Sequence, residues 1–155
     1  MVVEGTNKPP LLAMLLCEQA LRDEDGVTSL LRVIDDFTFS AQVSGLTPEQ
    51  LGRIGFTLRC IVYTKWGLGA GQFTQELALV HPDGSEATPR QPTQFTKPEG
   101  FHFHQVRTQA NIAIHEPGTY MFRVYLDGNL AGEHPFRVNI QRVRVEDSQP
   151  DQPES

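Results

Sequence analysis

The sequence predicts an all-β protein, a two-sheet antiparallel sandwich of immunoglobulin-like form, and three observations predict it. Four long runs alternate apolar and polar residues with a period of two, glycine- and proline-containing turns separate them, and no amphipathic helix of ordinary length interrupts them. Alternation of that period places the apolar side chains of a strand on one pleat face. Each run therefore reads as a strand packed on one side and wet on the other, the habit of antiparallel sheet. About seven to nine strands are expected, with helix below about a tenth of the chain.

Taken in order, the first element is Leu11 to Cys17, apolar on both parities and so expected to be covered on both sides. Asp25-Gly26 marks a turn, since glycine supplies a positive φ at little steric cost. From Val27 to Phe39 one parity carries Val27, Leu31, Val33, Phe37 and Phe39, interrupted by Asp35, so Asp35-Asp36 marks a bulge or a strand edge. Thr47-Pro48-Glu49-Gln50 combines an N-cap, a proline at the first helical position and a capping glutamine, which predicts a single helical turn. The next strand alternates Ile54, Phe56, Leu58, Cys60 and Val62 on its inner face, and Gly67-Leu68-Gly69-Ala70-Gly71 reverses the chain. Phe73 to Val80 follows and ends at His81-Pro82-Asp83-Gly84. Ser85 to Gly100 holds Pro89, Pro92 and Pro98, which permit only an edge strand or a long loop. The last three strands place Val106, Thr108, Ala110, Ile112 and Ile114, then Tyr120, Phe122, Val124 and Leu126, then Phe136, Val138 and Ile140 toward the core, with Asp127-Gly128 as the final tight turn.

The chain of 155 residues suits one domain, expected over 10–145 and large enough to bury a core without disulfides or metal. Residues 146–155 carry no apolar side chain to offset the entropy of ordering them, and are expected to be a solvated, acidic tail. A formal net charge of −6 argues against nucleic acid as a partner, because phosphate binding needs a basic footprint. Seven apolar residues cannot span a bilayer, no cationic leader precedes them, and Leu16 and Glu18 around Cys17 do not fit a lipoprotein cleavage site. Neither a membrane nor export is expected, and the cytoplasm is the expected compartment. Cys17 and Cys60 both lie in apolar runs and read as buried thiols rather than as a bridge.

Glu116-Pro117-Gly118-Thr119-Tyr120-Met121-Phe122 resembles the acidic-x-Gly-x-Tyr-x-Cys segment of immunoglobulin-type sandwiches, the tyrosine corner, with Phe122 where the disulfide cysteine stands. The resemblance implies that Tyr120 buries its ring while its hydroxyl caps a backbone group. It implies nothing about activity. Residues 11–140 also look like a family of small uncharacterised bacterial proteins. The likeness rests on Gly26-Val27-Thr28-Ser29-Leu30-Leu31-Arg32-Val33-Ile34-Asp35 after an acidic-Gly turn, and on the later Gly-x-Tyr-x-Phe-x-Val strand from Gly118 to Val124. That family carries no established function, so the likeness implies a fold and transfers no site.

Candidate chemistry is sparse. His102-x-His104 has metal-ligand spacing if both lie on one strand, and resembles part of the cupin motif without its glutamate; a third ligand would have to come from His81, His115 or His134. Histidines at a loop-proximal strand end beside Phe101 and Phe103 are the simpler account. The serines lack a nucleophile elbow, Asp23-Glu24-Asp25 matches no calcium loop, and the 67–71 glycines lack the lysine of a phosphate loop. No cluster supplies nucleophile, base and orienter, so no catalytic residue, metal or cofactor is expected. Arg107, Arg123 and Arg137 share outward parity on the last three strands, with Tyr125 beside them. If those strands are neighbours, the four residues form an arginine stripe suited to a carboxylate-bearing protein partner. The expected function is thus non-enzymatic: an adaptor, accessory or assembly subunit acting through protein contacts. The alternative is a small-ligand or metal-binding protein, possibly catalytic, centred on His102 and His104.

Overall fold

The computed structural model describes residues 8–24, 27–42, 49, 55–87 and 89–143. Among them are nine strands: β1 (Leu11–Arg22), β2 (Thr28–Val33), β3 (Asp36–Gln42), β4 (Phe56–Trp66), β5 (Gly71–Val80), β6 (Gln91–Lys97), β7 (His104–Ile114), β8 (Gly118–Leu126) and β9 (Asn129–Val143). They form two sheets, four strands in the order β2-β1-β4-β7 and five in the order β3-β9-β8-β5-β6. The expected turns at Asp25-Gly26 and Thr47-Pro48, the strand start at Ile54 and the acidic tail lie outside the described residues.

The core is built from the alternating faces. Leu58, Cys60 and Val62 of β4 and Val106, Ala110, Ile112 and Ile114 of β7 meet Tyr120, Phe122, Val124 and Leu126 of β8 and Phe136 and Val138 of β9. Tyr120 is buried and its hydroxyl donates to the Glu116 carbonyl at 2.8 Å. Side chains of the intervening parity, such as Arg107, Gln109 and Asn111, are exposed. β6 with Pro92 forms an edge of the five-stranded sheet, where a missing N–H costs no ladder bond. Asp127 and Gly128, at φ 47° and 84°, make the two-residue turn that joins Leu126 to Asn129 in register.

Polar side chains also enter the core. Gln75 of β5 is fully buried and ties the sheets together: Thr64 donates to its Oε1 at 2.6 Å, Trp66 Nε1 to the same oxygen at 3.0 Å, and its Nε2 donates to Thr108 at 3.4 Å. Buried amides and hydroxyls are tolerated when they bond to one another in this way.

Two expectations are corrected. The run from Val27 to Phe39 breaks at the strand edge marked by Asp35-Asp36, where Ile34 and Asp35 carry the chain from β2 in the four-stranded sheet to β3 in the other, but its single inward parity does not hold. Leu31 and Val33 are 42% and 46% exposed, whereas Ile34, on the opposite parity, is core. The crossing reverses which parity faces inward, so a single alternation could not describe both halves. The sheets are also not wholly antiparallel, because β3 enters beside β9 and pairs with it in parallel, from Asp36↔Arg137 to Gln42↔Val143.

β1 pairs with β4 as far as Cys17↔Ile61, and with β2 from Cys17↔Val33 onward. At that residue the strand leaves the sheet, and the β1–β2 hairpin crosses the outer face of β4 and β7. Thr28 donates to Gln105 Oε1 at 2.5 Å, and an Arg107 guanidinium nitrogen to the Ala20 carbonyl at 3.5 Å. Cys17 and Tyr63, both on outer parity, are buried. The coverage on both sides expected of the apolar run Leu11 to Cys17 is reached only at its end, at Leu16 and Cys17: Leu12 is 55% exposed, and Leu11, Ala13, Met14 and Leu15 are half-buried.

Candidate functional site

The crossing brings the hairpin tip to the loop between β6 and β7. Pro98 has no N–H to continue the β6 ladder, and Gly100, at φ 89°, turns the loop so that Phe101 and Phe103 face outward. They are 61% and 52% exposed. The loop is held from below by Lys97, the last residue of β6, whose Nζ donates to the Phe101 carbonyl. Lys97 is only 2% exposed and makes no ion pair among the described residues. An ammonium so far from water is costly unless it is compensated.

Arg22 closes β1 on the other side, and the Thr28–Gln105 bond fixes the hairpin against the start of β7. Between these elements lies a cleft of about 460 Å³, lined by Arg22, Pro98, Phe101, Phe103, His104 and Gln105 among others. His104 stacks on Phe95, ring centroids 5.1 Å apart and planes within 8°. Burial lowers its pKa, and the positive charges of Lys97 and Arg22 lower it further, so it is the neutral imidazole at neutral pH. The Lys65 ammonium sits over the Phe103 ring at 4.5 Å. A second groove, of about 450 Å³ beside β2 and β3, is lined by charges of both signs, Asp36 and Arg59 together with Arg32 and Glu18, which pair at 3.0 Å.

Of the residues singled out in the sequence, His104 belongs to this corner. His102 lies in the preceding loop, not on β7, so the two histidines do not share the strand face expected of them. The arginine stripe is divided. Arg107 stands on β7 in the four-stranded sheet, beneath the hairpin, while Arg123 and Arg137 stand on β8 and β9 in the other sheet. The condition that the three strands be neighbours fails because β7 pairs with β4. Arg123 is bonded to Glu133, directly across the β8–β9 pair, at 3.0 Å. Tyr125 carries the Arg90 guanidinium over its ring at 3.8 Å, and Arg90 in turn pairs with Glu86 at 2.6 Å. Arg137 is exposed, opposite Asp36 in the parallel register.

No pattern in the sequence groups Arg22, Lys97, Phe101 and Phe103. The one available signal was the pair of phenylalanines in a proline-flanked loop; the hairpin fold-over that supplies Arg22 leaves no local pattern.

The molecule is therefore an all-β protein of two sheets with an aromatic, cationic corner at one pole. It belongs to a family of unknown function (DUF6941), whose model matches residues 12–139. No curated protein matches the chain. Among solved structures it is similar to a β-glucosidase from Listeria innocua in complex with glucose, at 12% identity and a TM-score of 0.43, covering 71% of this chain and 15% of that one. It is also similar to the alkylpurine DNA glycosylase AlkC of Pseudomonas fluorescens bound to DNA containing an abasic site analogue, at 12% identity and a TM-score of 0.41, covering 81% and 30%. The chain thus spans less than a third of either protein, and neither likeness bears on its function.

Proposed function

We propose that the protein is a non-enzymatic module that acts through protein–protein contacts, as an adaptor, accessory or assembly subunit, and that it meets its partner at the corner formed by the β1–β2 tip and the β6–β7 loop. The observation that carries this reading is the outward presentation of Phe101 and Phe103 on a loop pinned from below by Lys97. One exposed ring is ordinary on a soluble protein. Two on one anchored loop, with Leu21 and Val27 also exposed at the adjoining hairpin tip, are a concentrated apolar surface of the kind used for recognition. A pinned loop also has less conformational entropy to lose on binding.

Two further readings accompany this one. The sheets are taken as an immunoglobulin-like sandwich of the bacterial kind, which the buried Tyr120 and its bond to the Glu116 carbonyl support as a tyrosine corner. A reducing cytoplasm is taken as the compartment, which two buried, unbridged cysteines support.

The test is capture from cells that express the protein, with wild-type bait and a Phe101→Ser/Phe103→Ser variant. Both rings are already in water, so the variant is expected to fold. It should lose the partner that wild type retains. Two equally folded baits that capture the same partners would contradict the assignment.

A further inference from the structure

The corner gathers three cations that form no ion pair among the described residues, and the lining of its cleft carries a guanidinium but no carboxylate. Arg22 lines the cleft, Lys65 lies over Phe103, and Lys97 is buried behind the loop. The ion pairs formed by the described residues are Arg32–Glu18, Arg90–Glu86 and Arg123–Glu133, and none involves these three cations. The nearby carboxylates Asp23, Glu24 and Glu99 are all exposed. On a chain of net charge −6, a cleft lined by Arg22 and by no carboxylate is a local departure from the whole. A buried ammonium held by one carbonyl gains most when an anion arrives close by, because attraction through a poorly screened interior is strong. The two phenylalanine rings flank the same cleft, so the complementary ligand is anionic and apolar at once.

We propose that the cleft bounded by Arg22, Phe101, Phe103, His104 and Gln105 receives an acidic segment of a partner protein, with a carboxylate beside Arg22 and a neighbouring apolar side chain against the phenylalanine rings. This rests on the protein-binding reading above and names the chemistry of the partner. Arg22 supplies a guanidinium fork suited to a carboxylate, the half-buried neutral His104 supplies a ring edge without adding charge, and the long-range field of Lys97 adds to both. Val143, the last described residue, lies far from this cleft. β9 runs from Asn129, beside the turn at the cleft's end of the five-stranded sheet, toward Val143 at the far end.

The experiment is an NMR titration of the full, nitrogen-15-labelled chain. The probe is an acetylated, amidated pentapeptide of alternating glutamate and phenylalanine; its counterpart carries glutamine in place of glutamate. Amide shifts at Arg22, Thr28 and the span from Lys97 to Gln105 should move and saturate with the acidic peptide. Affinity should fall about tenfold for the glutamine peptide and for Arg22→Gln, the loss expected for one charge-assisted hydrogen bond. Lys97→Met should weaken binding in the same direction. Arg22 is exposed, so its variant reports even if the Lys97 variant misfolds. Absence of saturable shifts, shifts centred elsewhere, or equal affinity for the two peptides would overturn the proposal. If capture still depends on Phe101 and Phe103 in that case, the protein-binding reading stands without the acidic partner.

Discussion

Gln75 shows how one polar side chain can fix the relation of two sheets. Its amide oxygen accepts from both Thr64 and Trp66 of the opposite sheet, and its nitrogen reaches Thr108. Gln75→Leu keeps the volume and removes all three bonds. Thr64 retains a contact to the Val106 carbonyl at 3.4 Å, but the Trp66 N–H is left buried without an acceptor. A loss of about 1–3 kcal/mol is expected in urea denaturation. The thiol of Cys60 makes a prediction of different sign and setting. Burial first, and the nearby Cys17 second, push its pKa up to about 12. In the unfolded chain it ionises near the ordinary thiol value of about 9. The folded state therefore holds its proton where the unfolded state has lost it, and the stability this thiol contributes is complete below about pH 9 and lost as pH rises toward 12. Melting temperatures across that window should fall less steeply for Cys60→Ala than for wild type.

At the scale of elements, the strands with one dry and one wet face were legible and those with a changed environment were not. β7 and β8 sit in the structure as their alternation requires, with Val106 to Ile114 and Tyr120 to Leu126 inward. β2 and β3 defeated the same reading because the crossing at Ile34–Asp35 exchanges inner and outer parity. The β1–β2 hairpin is the element on which the proposed site depends, since only its fold-over places Arg22 beside the β6–β7 loop. Thr28 secures that placement through Gln105. Thr28→Val should cost about 0.5–1.5 kcal/mol, the usual net value of one such bond. Its sharper signature is local: native-state hydrogen exchange should quicken in β2 and the end of β1 while the β4–β7 pairing keeps its protection. Uniform exchange changes across both sheets would mean that the hairpin is not an independently opening unit.

For the whole molecule, the sequence conveyed the all-β class, the turn at Asp127-Gly128 and the edge position of β6, each set by local rules of pleat, turn and proline. It did not convey the candidate site. In the sequence Phe101 and Phe103 stand only as neighbours of two histidines, and the arginines share one parity, which is blind to the sheet a strand joins. Sites assembled from a hairpin tip and a distant loop are properties of topology. The partition of the chain into two sheets placed Arg107 apart from Arg123 and Arg137 and, by the same rearrangement, gathered Arg22, Lys97 and the two phenylalanines at one pole. The central claim is that this pole is where the protein meets its partner. Its most direct measurement is hydrogen–deuterium exchange of the full chain, alone and saturated with the partner it captures. New protection is expected in Leu21–Arg22, in Val27–Leu30 and in Pro98–Gln105 together. Protection confined to β8 and β9 around Arg123, Tyr125 and Arg137, with the hairpin tip and the β6–β7 loop unchanged, would contradict it.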